Sequence, residues 1–244
     1  MKQVLLTVKE NIPLTENVYK MTLCGDCSDI TASGQFVNIK LDGLFLRRPI
    51  SVCDKDGDTL TIIYKVVGKG TETMKELENG AVLDVLTGLG NGYDLEKSGN
   101  SPLLIGGGVG VPPMYLLAKR LIEQGKKVSV VLGFNTKSEV FYEDEFKALG
   151  CEVTVTTVDG SYGVKGFVTN AMDIDYTYFY CCGPEPMLKA VYKTSNTSGQ
   201  FSFEERMGCG FGACMGCSCK TITGYKRICK DGPVLEKEEI LWED

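Results

Sequence analysis

Pro102-Leu103-Leu104-Ile105-Gly106-Gly107-Gly108-Val109-Gly110-Val111-Pro112-Pro113 reads as a strand, a glycine turn and the start of a helix. The apolar run makes a short buried strand. Prolines are tolerated in a first helical turn, and Met114–Gln124 spaces its apolar residues at the helical period. Val128–Leu132, Val153–Thr157 and Tyr178–Cys182 repeat the apolar strand downstream. Continuous apolar strands alternating with helices imply a doubly wound parallel sheet, so residues 99–196 read as one α/β domain. The turn at Gly107, Gly108 and Gly110 follows the first strand, where backbone N–H groups meet a nucleotide phosphate. Its spacing departs from G-x-G-x-x-G and no P-loop lysine follows, so a plain tight turn is the competing reading. Cys182-Gly183-Pro184 closes the last strand at the edge where such sheets bind ligands. The segment Phe134-Asn135-Thr136-Lys137-Ser138 after the second strand has one lysine and no arginine. A 2′-phosphate calls for more cationic donors, so NAD is expected over NADP.

Working toward the N-terminus, residues 1–98 change pattern. Val4–Val8, Val18–Leu23, Phe36–Leu41 and Thr59–Val67 are β-branched or aromatic and partly alternate. Asp42-Gly43 and Asp56-Gly57-Asp58 supply turns between them. Short, evenly spaced strands suggest an antiparallel β-barrel, with one helix near Thr71–Glu78. Two patterns here carry chemistry. Arg48-Pro49-Ile50-Ser51 puts a guanidinium near a small hydroxyl at a strand end, a pairing able to hold a pyrophosphate and a flavin ring. Ile63-Tyr64-Lys65 leads through a glycine turn to Gly70-Thr71 and a helix start, where N–H groups suit a phosphate. Each pattern alone is equally a strand end or a capped turn.

Working toward the C-terminus, the chain reaches Cys209-Gly210-Phe211-Gly212-Ala213-Cys214-Met215-Gly216-Cys217-Ser218-Cys219. With Cys229 this makes C-x4-C-x2-C…C, the spacing of a plant-type [2Fe–2S] site. Four thiolates hold two tetrahedral irons, and the glycines let N–H groups approach the sulfides. Zinc is a rival for Cys214 and Cys217, but a second such pair or a histidine pair is lacking. Disulfides are a second rival, set against eleven cysteines, an odd count. Cys219 is the alternative fourth ligand. Cys229 is preferred, because the thiolates of a C-x-C are hard to aim at two different irons. Cys24, Cys27, Cys53, Cys151 and Cys181 are expected as small core residues. Phe201–Met207 reads as a strand entering the loop, with short strands in Lys220–Ile228 and Gly232–Leu235. Glu236–Asp244 reads as a solvated acidic tail that Trp242 docks on the body or on a partner. Residues 197–244 thus form a small C-terminal β appendage.

At 244 residues the chain has room for two domains plus that appendage. A net charge of −6 argues against nucleic-acid binding through a basic surface. No apolar run reaches the ~18 residues of a transmembrane helix. Met1-Lys2-Gln3-Val4-Leu5 has no signal design, so a cytoplasmic location is expected. The chain has no histidine. That excludes His-ligated Rieske and haem centres and removes the commonest general base, which moves the expected chemistry onto cofactors.

Arg48-Pro49-Ile50-Ser51, Gly70-Thr71, Gly-Gly-x-Gly-x-x-Pro and Cys-Gly-Pro-x-x-Met stand in the order found in the ferredoxin–NAD(P) reductase superfamily, which the chain resembles. The resemblance implies that Arg48 and Ser51 bind the FAD phosphates and ring edge. It places Ile63, Tyr64 and Lys65 along the flavin, Gly70 and Thr71 at the pyrophosphate, and the nicotinamide near Cys182. The aromatic usually found beside the serine is replaced by Pro49-Ile50, which leaves the ring-stacking partner unassigned. Too few residues follow for a complete ferredoxin. The whole chain instead resembles the electron-transfer subunits of class 1B dihydroorotate dehydrogenases. That resemblance implies FAD, NAD and a [2Fe–2S] cluster on Cys209, Cys214, Cys217 and Cys229. It also implies an FMN-containing catalytic partner subunit in a two-plus-two heterotetramer. A related branch serves ferredoxin or sulfur-reducing partners and carries aspartate in place of the first cysteine; Cys209 favours the dihydroorotate branch.

Overall fold

Period-two burial defines the barrel. In β6 (Val82–Leu89) the side chains of Leu83, Val85, Thr87 and Leu89 are buried, while those between them face outward or are only half covered. The computed structural model describes residues 1–242. β1 (Lys2–Pro13), β2 (Val18–Cys24), β3 (Phe36–Ile39), β4 (Arg48–Asp56), β5 (Thr59–Lys65) and β6 close in the order β1-β2-β5-β4-β3-β6. Every pairing is antiparallel, and β6 closes the barrel on β1 from Lys2↔Thr87 to Thr7↔Val82. Leu6, Met21, Leu23, Leu60, Ile62 and Val85 fill the interior. The helix α1 (Lys69–Lys75) follows β5.

The second sheet runs β10-β9-β8-β7-β11-β12-β15. Its strands are β7 (Leu103–Gly107), β8 (Ser129–Phe134), β9 (Glu152–Thr157), β10 (Val164–Lys165), β11 (Phe179–Cys182), β12 (Gly199–Ser202) and β15 (Val234–Glu236). All are parallel except β15, which pairs antiparallel with β12. Helices α2 (Pro112–Glu123), α3 (Glu143–Ala148) and α4 (Glu185–Thr194) connect them. β13 (Ser218–Thr221) and β14 (Gly224–Arg227) form a separate hairpin. The cysteine loop therefore leaves the large sheet from β12 and returns to it through β15.

α2 joins the two units. Its Met114, Leu117 and Leu121 share one core with Val18, Cys53 and Ile63 of the barrel. Lys119 adds an ion pair to Asp54 at 3.2 Å, and Arg120 donates to the Thr31 carbonyl at 2.9 Å. No helix among the described residues is long and apolar enough to cross a membrane.

Three details depart from expectation. β6 has no counterpart among the expected strands, and β4, expected only as a strand end at Arg48–Ser51, runs on to Asp56. The strand before the cysteines ends at Ser202, so 203–207 run as irregular chain. The acidic tail is not simply solvated: Glu236 ends β15 and accepts from Lys97, Gln200 and Tyr178 at 2.7–2.8 Å. Trp242 docks on the body, its ring 5.7 Å from Phe203 and 5.9 Å from Tyr192. The last two residues of that segment, 243 and 244, lie outside the described residues.

Candidate functional site

The strand order reverses direction between β7 and β11, and open α/β sheets bind ligands at that switch point. Both glycine-bearing turns meet there. A Cβ on Gly110 would stand 2.2 Å from the Cys182 carbonyl oxygen, and one on Gly107 would stand 2.4 Å from Met187 Sδ. Only glycine lets the two turns pack this closely. Gly107, Gly108, Gly110, Gly183 and Pro184 line a cleft of about 700 Å³ that extends past the ends of β8 and β9. That volume is in the range of small-molecule sites. Cys182 is buried beneath it, and burial together with the Glu204 carboxylate pushes its thiol well up. It sits there as a neutral, compact side chain.

A second groove, of about 370 Å³, is lined by Arg48, Pro49, Ile50, Ser51, Ile63, Tyr64, Lys65 and Thr71. The sequence patterns of two separate strands thus come together. Gly70 is absent from the groove wall itself; it lies under Arg48, and a Cβ there would stand 2.0 Å from Arg48 Nε. Glycine at this position is what lets the guanidinium lie flat on the turn. Thr71 Oγ1 accepts from the N–H groups of Val67 and Gly68 at 2.9 and 3.3 Å and so fixes that turn. Among the described residues Arg48 pairs with no carboxylate, which leaves its charge for an anion. Tyr64 is committed elsewhere: its hydroxyl donates to Asn11 Oδ1 at 2.9 Å and its ring stacks on Tyr19.

The four expected cysteines form two pairs. Backbone bonds join the members of each: the Cys214 N–H donates to Cys209 Sγ and the Cys229 N–H to Cys217 Sγ. Among the described residues no three candidate ligands converge where a single metal ion would sit. Two pairs match two irons, each needing two thiolates. Ala213 N and Cys214 N donate to Cys209 Sγ at 3.2 and 3.4 Å, and Cys229 N donates to Cys217 Sγ at 3.4 Å. Partial burial pushes the Cys209 thiol up, but the N–H groups of Cys214, Phe211 and Ala213 outweigh it and hold its pKa at about 6. Burial, with Cys217 as neighbour, pushes Cys229 up to about 12. Arg227 braces the loop by donating to the Gly212 carbonyl at 3.0 Å while held by Asp231. Met215 has a φ of 61°, left-handed backbone that costs a non-glycine residue about 1 kcal/mol or more. Cys219 lies in β13 opposite Lys226 and joins neither pair.

Of the residues where these sites meet, the sequence pointed to Lys65 but not to Val109 or Glu204. Lys65, Val109 and Glu204 line both the cleft and the groove. Glu204 is exposed at this throat, and the protein on one side of it pushes its carboxyl up by desolvation. Met207, at the foot of the cysteine loop, lines the groove, and Asn38 of β3 donates to the Cys209 carbonyl at 3.4 Å. Two acidic residues directly before the cysteines, Glu204-Glu205, were the only local signal. The order of contact is cysteine loop, groove, throat, cleft.

Residues 204–241 match the family described as the iron-sulfur cluster binding domain of dihydroorotate dehydrogenase B, and 104–193 match an oxidoreductase NAD-binding domain. A dihydroorotate dehydrogenase B (NAD(+)) electron transfer subunit from Bacillus pumilus is 45% identical, with 98% of each chain covered. Its counterpart from Fusobacterium nucleatum is 47% identical over 93% of this chain and 94% of its own. The chain belongs to this electron transfer subunit family. An NADH-dependent reduced ferredoxin-NADP oxidoreductase structure superposes with a TM-score of 0.89 at 30% identity, covering 98% of this chain and 90% of that one. A ferredoxin NADP+ reductase from Neisseria gonorrhoeae with bound FAD and NADP shares the fold, with a TM-score of 0.69 at 17% identity over 80% of this chain and 90% of its own. Thiol pairs, a cation-bearing groove and a glycine-turn cleft fit the family's [2Fe–2S] cluster, FAD and NAD.

Proposed function

We propose that this chain carries electrons from an FMN-containing dihydroorotate dehydrogenase subunit to NAD+, in pyrimidine biosynthesis. The observation that carries the reading is the unbroken succession of sites from the cysteine loop through the flavin groove to the nucleotide cleft. A bound flavin exchanges a hydride with nicotinamide and single electrons with an iron–sulfur cluster, so it couples the two other groups. Cys209 and Cys214 would hold one iron, and Cys217 and Cys229 the other. Arg48 would bond the FAD phosphates over Gly70 and Thr71, while Pro49, Ile50, Ser51, Ile63, Tyr64 and Lys65 wall the groove. Gly107, Gly108 and Gly110 would admit the NAD pyrophosphate. Cys182, Gly183 and Pro184 would shape the floor under the nicotinamide. Val109 lines both sites at the throat between them.

The domain reading goes with this: 1–98 for FAD, 99–196 for NAD and 197–244 for the cluster, with β12 and β15 lending the last segment its anchorage in the sheet. A two-plus-two assembly in the cytoplasm completes the proposal. A tagged chain purified from native extract tests it. Dihydroorotate-dependent NAD+ reduction by the eluate is the expected result. NADH oxidation that ignores dihydroorotate would overturn the partner and favour a second reading, a reductase subunit for ferredoxin or a sulfur-reducing partner. The close superposition on the ferredoxin-NADP oxidoreductase is the observation behind that alternative.

A further inference from the structure

Three carboxylates line the nucleotide cleft: Glu16, Glu139 and Glu204. Glu204 belongs to the throat and Glu16 to the turn between β1 and β2. Glu139 stands apart, past the carboxyl end of β8, the neighbour of β7. A dinucleotide whose pyrophosphate rests on the turn after β7 lays its adenosine ribose over the end of that adjacent strand.

Glu139 is held in place there. Its Oε2 accepts from Asn135 N at 3.2 Å and from Asn135 Nδ2 at 2.9 Å. Among the described residues no donor takes Oε1, and the residue is half-buried in the cleft wall. The one lysine of the segment is turned away, with Lys137 Nζ 5.6 Å from the centre of the Tyr162 ring. Thr136 and Ser138 bond each other at 2.9 Å. Phe167 lines the same cleft and is 63% exposed, an open aromatic face for a base. Among the described residues this end of the cleft therefore offers an acceptor for a hydroxyl and a platform for a purine, with its one lysine placed over Tyr162.

We infer that Glu139 accepts a hydrogen bond from the 2′-hydroxyl of the adenosine ribose and makes the chain select NAD over its 2′-phosphorylated form. A carboxylate gains a charged hydrogen bond from the hydroxyl. Set against a 2′-phosphate it meets a like charge across a few ångströms, with nothing nearby to neutralise it. The inference rests on the nucleotide reading of the cleft.

The test uses the purified full-length chain with its cofactors, and calorimetric titration with ADP-ribose and 2′-phospho-ADP-ribose. Neither fragment carries nicotinamide, so binding is read apart from turnover. The parent protein should bind ADP-ribose at least about tenfold tighter than the phosphorylated fragment. Glu139→Gln keeps an acceptor for Asn135 but removes the charge. It should weaken ADP-ribose about tenfold, the size of one charged hydrogen bond, and should tighten the phosphorylated fragment. The ratio of kcat/KM for NADH over NADPH should collapse in parallel through KM, with kcat for NADH kept. An unchanged fragment preference in Glu139→Gln overturns the role of Glu139 while leaving the cleft reading intact. Binding of neither fragment to the parent chain overturns both.

Discussion

Arg47 and Arg48 are neighbours in sequence with opposite allegiances. Arg47 reaches back into the barrel, donating to Asp84 Oδ1 at 2.9 Å and to the Asn38 carbonyl at 3.3 Å. Arg48 lies on Gly70 and faces the groove without a carboxylate. Arg48→Ala should therefore cut FAD affinity by roughly tenfold to a hundredfold, the range for a lost charged hydrogen bond. Arg47→Ala should retain FAD and lose only about 1 kcal/mol of stability from a partly exposed pair. Flavin fluorescence titration of both variants separates the two; equal loss from each would remove the distinction. The cysteines allow a second test at this scale. In cluster-free protein Cys209 is mostly thiolate above pH about 6, whereas Cys229 stays protonated until about 12. Iodoacetamide should label Cys209 first, with a rate that climbs through pH 6 and levels off by about pH 7, since the thiolate is the nucleophile. A rate that begins to climb only above pH 8 would mean that the loop's N–H groups do not point at the sulfur.

Among the elements, β15 shows how a three-residue strand is kept in place. Burial pushes the Glu236 carboxyl up, but bonds from Lys97, Gln200 and Tyr178 outweigh this and hold it below the ordinary glutamate value. A depressed folded-state pKa gives stability that is present above the unfolded value, about 4.3, and lost as pH falls through the folded one. Glu236→Gln should cost about 1 kcal/mol in urea unfolding at pH 7. The gap to the parent protein should close as pH drops below about 4; a gap constant with pH would assign the loss to packing. This strand also marks how far the sequence could be read. β7, β8 and β11 declare themselves because burial on both faces leaves unbroken apolar runs. β6 alternates cleanly, but Thr87 on its buried face and Leu86 on its other face blur the pattern. β12 buries Gln200, whose bonds to Asp94 N and Glu236 come from distant parts of the chain. Cysteine and glycine motifs are legible because their spacing is local. Val109 and Glu204 are not, since only folding brings their segments to one throat beside Lys65.

At the scale of the molecule, electrons have to enter from outside, and the surface beside the cysteine loop is built for contact. Asn38 donates to the Cys209 carbonyl while its own carbonyl accepts from Arg47, so β3, which leads into the turn before β4, touches the loop. At its tip Phe45 is 101% exposed, with Leu46 beside it. In the loop Phe211, Met215 and Cys214 are exposed as well. Apolar side chains gathered this way mark an interaction surface, and an outer thiolate there shortens the path to a partner's redox group. Large aromatics at the centre of an interface carry much of its affinity. Phe45→Ser should keep FAD, cluster content and melting temperature, because the ring packs on nothing within the chain. It should weaken binding of the dihydroorotate dehydrogenase catalytic subunit about tenfold or more. Leu5 on β1 is 68% exposed and serves as the control, for Leu5→Ser should leave that binding unchanged. Equal affinities for the two variants and the parent chain, measured by surface plasmon resonance on the purified subunits, would put the partner elsewhere. Electrons would then have to enter the chain away from the exposed Cys214.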